Sequence, residues 1–127
     1  MGSATWFTAG ASAAGLAVVL GAFGAHGLKA RVSPELLVVF ETGVRYHMYH
    51  AVALLAVGLA ATRWTSASVG AAGWAFSIGI LVFSGSLYIL ALTGVRAWGA
   101  VTPLGGVAFI VGWFALAWAA LRGASIG

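Results

Sequence analysis

The sequence contains no cysteine and very little charge, and both shortages limit what the protein can be. Without cysteine, disulfide bonds, thiolate metal sites and thiol catalysis are excluded. Only 6% of the 127 residues are charged, against about 25% in soluble domains, while 62% are hydrophobic. A water-soluble fold of this length could not bury so much apolar surface, so the sequence predicts a protein whose solvent is a lipid bilayer.

The scarce charges divide the chain into long uncharged runs, each close to the roughly 20 apolar residues that cross a bilayer. Residues 1–127 are therefore predicted to form one all-α transmembrane domain, a four-helix bundle with short connections. Ser33 and Pro34 supply an N-cap and a first-turn proline for a short interfacial helix before the second span. The predicted spans cover about residues 5–25, 44–62, 69–92 and 103–121, and the interfacial helix covers about 34–43.

Antiparallel connections place most polar residues at one membrane leaflet, between the first and second spans and between the third and fourth. That side carries four basic residues against two on the other, Arg63 and Arg122. The excess predicts a multi-pass membrane protein with its polar side cytoplasmic and both termini outside. Trp6, Trp64 and Trp118 are expected to form an aromatic belt at the opposite interface.

Residues 41–50 (ETGVRYHMYH) hold one of the two acids, two of the three histidines and two of the three tyrosines. Glu41 and Arg45 are one helical turn apart and are predicted to form an ion pair. The polar side chains of this stretch, with others expected at the same leaflet, form the candidate ligand-binding set, because ionisable groups inside a membrane are costly. The set comprises His26, Glu41, Arg45, Tyr46, His47, His50, Ser84 and Tyr88.

Three interpretations of the histidines remain open. His26, His47 and His50 are candidate ligands for a metal of unknown identity or for haem. Alternatively, the histidines and neighbouring tyrosines form a proton relay or a quinone-headgroup pocket. The favoured interpretation is that they hydrogen-bond between helices and fix the bundle's register. On that interpretation, no cofactor is expected.

No motif in the sequence predicts an enzyme. It lacks the phosphate-binding loop, the H-E-x-x-H zinc motif, the G-x-S-x-G nucleophile elbow and the dinucleotide-binding glycine fingerprint. The six basic residues are too scattered to follow a phosphate backbone, so nucleic acid is not an expected partner. The lipid bilayer is the expected partner.

Small residues recur at helical spacing on the first and fourth spans, where they would allow another helix to approach closely. They predict an accessory subunit that self-associates as a homo-oligomer or docks on a larger membrane complex. The alternative function is ligand binding or transport of a metal, haem, quinone or proton at the one-leaflet pocket. The two stripes are Gly10, Ala14, Ala17, Gly21 and Gly24, and Gly105, Ala108, Gly112, Ala115 and Ala119.

Four sequence blocks together resemble a known family. They are residues 21–29 (GAFGAHGLK), 42–51 (TGVRYHMYHA), 83–94 (FSGSLYILALTG) and 102–106 (TPLGG), the last leading to Gly112-Trp113. In this order they are similar to the small YgdD/YwdK-like inner-membrane proteins, a domain of unknown function with a mitochondrial-type eukaryotic counterpart. The resemblance implies an integral membrane protein with about four spans, and it implies no activity, ligand or catalytic residue.

Overall fold

Four long helices make up the protein in a computed structural model that describes residues 2–126, with side chains over residues 2–123. This arrangement confirms the predicted all-α class and the number of helices. Two short 3₁₀ turns, Leu28–Ala30 and Arg96–Ala100, lie in the connections at one end. The helices are α1 (Ser3–His26), α2 (Pro34–Arg63), α3 (Ala67–Thr93) and α4 (Thr102–Ile126).

Within the described part of the chain, three segments are long and apolar enough to cross a membrane: Ser3–Ala30, Ala67–Thr93 and Arg96–Gly123. They contain α1, α3 and nearly all of α4. The helix α2 has 30 residues but is less apolar, because its charged, histidine and tyrosine side chains lower its hydropathy. Thus the most polar helix is also the longest of the four.

The start of α2 follows the predicted capping pattern. The Ser33 hydroxyl accepts a hydrogen bond from the Leu36 N–H at 3.2 Å, and Pro34 occupies the first turn. The helix expected over residues 34–43 is not separate from the second span, because α2 continues without interruption to Arg63. A Cβ on Gly43 would lie 2.8 Å from the Tyr88 ring, so this glycine permits α3 to approach closely.

The small-residue stripes lie inside the protomer. α1 packs along α2, where a Cβ on Gly10 would come within 2.8 Å of the Ala51 carbonyl oxygen. Likewise α4 packs along α3, where a Cβ on Gly112 would meet the Phe76 ring at 2.6 Å. The expectation that these stripes are free for another subunit is therefore wrong, since their closest approaches are made within one chain.

Two apolar clusters form the core, with a layer of buried polar side chains between them. The larger cluster contains Trp6, Leu54, Val57 and Phe76, and the smaller one contains Phe40 with Leu28 and Ala91. The layer consists of His47, His50, Ser84 and Ser86. Every buried side-chain nitrogen and oxygen of the described residues has a hydrogen-bond partner, as a low-dielectric interior requires.

Trp6 does not belong to an interfacial belt. It is 2% exposed, and its ring covers Gly73 of α3 and meets the Trp74 ring edge-on at 5.6 Å. Trp118 is exposed on α4, where the Arg122 guanidinium lies 5.8 Å from its ring centroid. The end of α1 is therefore held to α3 by a buried tryptophan, which the sequence pattern had assigned to lipid.

Candidate functional site

His47 connects α2 to α3. Its Nδ1 is 2.8 Å from the Tyr88 hydroxyl of α3. The side chain is only 3% exposed, and on its other side it shares a groove with Ala13 of α1. Because the hydrogen-bond partner comes from another helix, His47 sets the position of α3 relative to α2.

An apolar groove lies beside this pair, with α1 and α3 as its walls. Its volume is about 410 Å³, within the range of small-molecule sites. Leu16 and Leu81 at its rim are 53% and 75% exposed, so in a bilayer the groove opens sideways towards lipid. The polar side chains in the wall are those of His47, Tyr88 and Ser77. The lining residues are Ala9, Ala13, Leu16, Leu20, His47, Leu54, Ser77, Ile80, Leu81, Gly85 and Tyr88.

His50 faces a different cleft, between α2 and α4. Its Nδ1 lies 2.7 Å from the Tyr46 carbonyl oxygen, which can only accept, so Nδ1 carries the proton. Its Nε2 then accepts from the Trp113 indole N–H at 3.1 Å. The ring stacks on Phe109, with centroids 3.5 Å apart and planes at 7°. Both nitrogens of this neutral histidine are occupied, which leaves no lone pair for a metal.

A π-helical segment, Ile80–Ser84, interrupts α3 beside both histidines. Such wider turns are frequent at functional sites. Here the segment places the Ser84 hydroxyl 2.7 Å from the Gly43 carbonyl oxygen, to which it donates. One turn further on, Tyr88 lies over Gly43 and reaches His47. The segment thus sets the direction from which the Tyr88 hydroxyl enters the groove.

His47 lies opposite the middle of α1. α1 touches α2 where Gly21 meets Val44 and where Gly10 meets Ala51, and His47 lies between these contacts. It is therefore opposite the middle third of α1, more than about 10 Å from either end of that helix at 1.5 Å per residue.

The structure brings together only part of the predicted site. His47 and Tyr88 share the groove, with Ser84 buried one turn away, while His50 and Tyr46 belong to the α4 cleft. His26 lies exposed at the end of α1. Across residues 2–126, no group of three or more histidine or acidic side chains is placed to hold a metal ion.

Glu41 and Arg45 are separate from both clefts. Both side chains are exposed on the outer face of α2. Within the part of the chain that the structure describes, no ion pair joins them, contrary to the prediction.

Several residues of the two clefts were missed. Trp113 and Phe109 complete the His50 cleft from α4, and Gly85 and Ala13 line the groove. A signal existed for Trp113, which stands in the block that resembles the known family. None existed for Ala13 or Gly85, because small apolar residues are ordinary in membrane helices.

Comparison with known proteins gives one consistent result. A family model described as "Protein of unknown function (DUF423)" matches residues 20–106. The UPF0382 membrane protein YwdK of Bacillus subtilis is 52% identical over 114 residues, which cover 89% of this chain and 93% of the relative. A UPF0382 membrane protein of Staphylococcus epidermidis is 50% identical over 113 residues, covering 89% and 92%. None of these descriptions states an enzymatic activity, and no solved structure matches.

Proposed function

We propose that this chain, which belongs to the DUF423 family of membrane proteins of unknown function, binds a membrane-soluble amphiphile in the groove between α1 and α3. The observation that carries this proposal is the His47–Tyr88 pair in the wall of an apolar groove open towards lipid. Ligand sites combine apolar walls with a few polar groups in this manner. The proposal keeps the ligand-binding alternative but narrows its site to His47 and Tyr88 and replaces the metal, haem, quinone or proton with a hydroxyl-bearing amphiphile.

The chemistry of the pair selects the head group of the ligand. A tyrosine hydroxyl has one proton and two lone pairs. The hydrogen bond to His47 uses either the proton or one of the lone pairs. At least one lone pair of Tyr88 therefore remains for a donor, whichever tautomer His47 adopts. A ligand with a hydroxyl group at one end of an apolar chain or ring system satisfies this acceptor, and its apolar part covers the groove walls.

Photolabelling with a long-chain alcohol that carries a diazirine tests the proposal in native membranes. Gly85→Leu is expected to abolish specific labelling of α1 and α3, because a side chain at Gly85 meets nothing within 4 Å and fills the groove. Gly15→Leu is the matched control, since Gly15 is equally unobstructed but lies outside the groove. Equal labelling of wild type and Gly85→Leu would overturn the proposal.

Tyr88→Phe tests the head group separately. Loss of one hydrogen bond is expected to weaken alcohol binding by about 0.5–1.5 kcal/mol, up to roughly tenfold. Binding of the matching methyl ether, which has no donor, should not change. Tyr49→Phe on the exposed face is the control. If the variant binds both probes like wild type, the Tyr88 hydroxyl has no role in recognition.

An accessory subunit that self-associates or docks on a larger membrane complex is a second candidate function. The observation that favours it is the pair of exposed charges, Glu41 and Arg45, on the outward face of α2, which is otherwise mostly apolar. The glycine stripes do not support it, since they are occupied within the protomer. Cross-linking from cysteines introduced on that face tests it, because the mass of the product identifies the partner.

We also propose the bacterial cytoplasmic membrane as the location, with both termini outside. The support is the unequal distribution of basic residues. Lys29, Arg31, Arg45 and Arg96 lie towards the end that holds the two 3₁₀ turns, and Arg63 and Arg122 lie towards the other. Basic residues are in excess on the cytoplasmic side of membrane proteins.

A further inference from the structure

Among the described residues, the outward face of α2 carries the only charges on the lipid-facing surface between the helix ends. Glu41, Arg45 and Tyr49 follow one another at intervals of four residues and are all exposed. By contrast, α1 and α3 contain no Asp, Glu, Lys or Arg, and α4 has none before Arg122. At 100° per residue, the exposed residues of this face form one narrow stripe. We call it the α2 stripe: Val38, Glu41, Arg45, Tyr49, Val52, Ala56 and Leu59.

Arg45 lies at a depth where an unpaired charge is costly. It follows Val44, which touches Gly21, five residues inside the end of α1. The Arg45 backbone is therefore about 8 Å inside that end, whereas the 24-residue α1 exceeds a 30 Å hydrocarbon core by only about 3 Å at each end. Charged side chains at such depths normally pair or face a protein interior.

Arg45 and Glu41 form no ion pair within the protomer. Among the described residues the structure shows no ion pair at either side chain, although the two lie one helical turn apart, and both are exposed. The only other acid in the sequence, Glu35, lies in the first turn of α2, ten residues before Arg45. Both charges are therefore available to another molecule.

We propose that a second copy of this chain docks on the α2 stripe, with α2 against α2 across a two-fold axis along the membrane normal. The stripe is self-complementary, because it carries one acid and one base a single turn apart. A two-fold axis brings Glu41 of one protomer beside Arg45 of the other, and the pair forms twice. The apolar residues of the stripe supply the packing on either side.

This interface leaves the proposed ligand groove open. His47 lies on the opposite side of α2 from the stripe, since two residues after Arg45 correspond to about 200° of rotation. The dimer therefore goes beyond ligand binding and can be tested without it. Loss of the dimer and loss of the photolabel are separate results.

The absence of cysteine makes cross-linking a direct test. Single variants Val38→Cys and Val52→Cys of the full chain are oxidised with copper phenanthroline in native membranes. A disulfide-linked product of twice the monomer mass is expected in both. Val18→Cys on α1 and Val107→Cys on α4 are matched controls, with similar exposure outside the stripe, and should remain monomeric.

Charge exchange tests the pair itself in the Val52→Cys background. Glu41→Arg and Arg45→Glu alone are each expected to lower the cross-linked fraction several-fold, and the double variant should restore it. Glu35→Arg, outside the stripe, should have no effect. Three outcomes would overturn the proposal: cross-links no stronger than in the controls, a cross-linked product containing a different protein, or a dimer fraction insensitive to either single exchange.

Discussion

His47 and His50 are three residues apart but differ in the hydrogen-bonding capacity that their surroundings leave for a ligand. His50 donates to the Tyr46 carbonyl, accepts from Trp113 and stacks on Phe109, so its ring is fully occupied. His47 pairs with Tyr88, whose hydroxyl keeps an unused lone pair beside the groove. His47 can thus take part in ligand binding through Tyr88, whereas His50 fixes α4 to α2.

A double-mutant cycle measures the contribution of His50. His50→Phe keeps the stacked ring but leaves the Trp113 N–H without its acceptor. We expect the free energy of unfolding in mixed micelles to fall by about 1–3 kcal/mol, the usual cost of an unsatisfied buried donor. In the Trp113→Phe background the same change should cost less, because the donor is gone. Fully additive effects would show that the hydrogen bond contributes nothing.

At the scale of the helices, close contacts at glycines join one helix to the next. On α1 the glycines that face α2 permit backbone contact, and the π-helical segment of α3 directs Ser84 and Tyr88 towards α2. Packing of this kind is the main source of helix association in lipid, where hydrophobic burial contributes little. The stripes therefore stabilise the protomer.

Gly10 and Gly15 of α1 provide a matched pair of sites for testing the effect of close helix packing on stability. Gly10→Ala would place a Cβ 2.8 Å from the Ala51 oxygen, so the helices must separate. A loss of about 1–3 kcal/mol in the free energy of unfolding is expected, as for other overpacked sites. Gly15→Ala, with nothing within 4 Å, should gain up to about 1 kcal/mol from helix propensity. If both variants behave alike, the Gly10 contact does not hold α1 to α2.

The whole molecule is organised around its most polar helix. α2 contacts α1 along one side and α3 along another, and its His50 reaches α4. The buried polar layer lies between two apolar clusters, and its hydrogen bonds fix the register of α2, α3 and α4. The outward α2 stripe is then the part of this helix left for another molecule.

Orientation is a property of the whole molecule and can be measured with the same cysteine-free chain. With both termini outside, Thr65→Cys in the α2–α3 turn should react with a membrane-impermeant maleimide in intact cells. Ala97→Cys, in the 3₁₀ turn at the other end, should react only after the membrane is permeabilised. The reverse labelling pattern would place the termini in the cytoplasm.

Local chemistry was sufficient to predict the helical class, the four helices and the Ser33–Pro34 start of α2. Hydropathy and capping depend on residues close together in the chain, so both can be read without the fold. The partners of the buried side chains could not be read in this way. Trp113 and His50 are 63 residues apart, and Tyr88 and His47 are 41 apart.

The same distinction applies to residues 41–50. Composition identified this stretch as the polar centre of the chain, because charge and histidine are rare elsewhere. Packing then divided it into three faces: His47 in the groove, His50 against α4, and Glu41 with Arg45 towards lipid. Helical spacing places residues around one axis, but which neighbour covers each direction depends on how the other three helices pack against it.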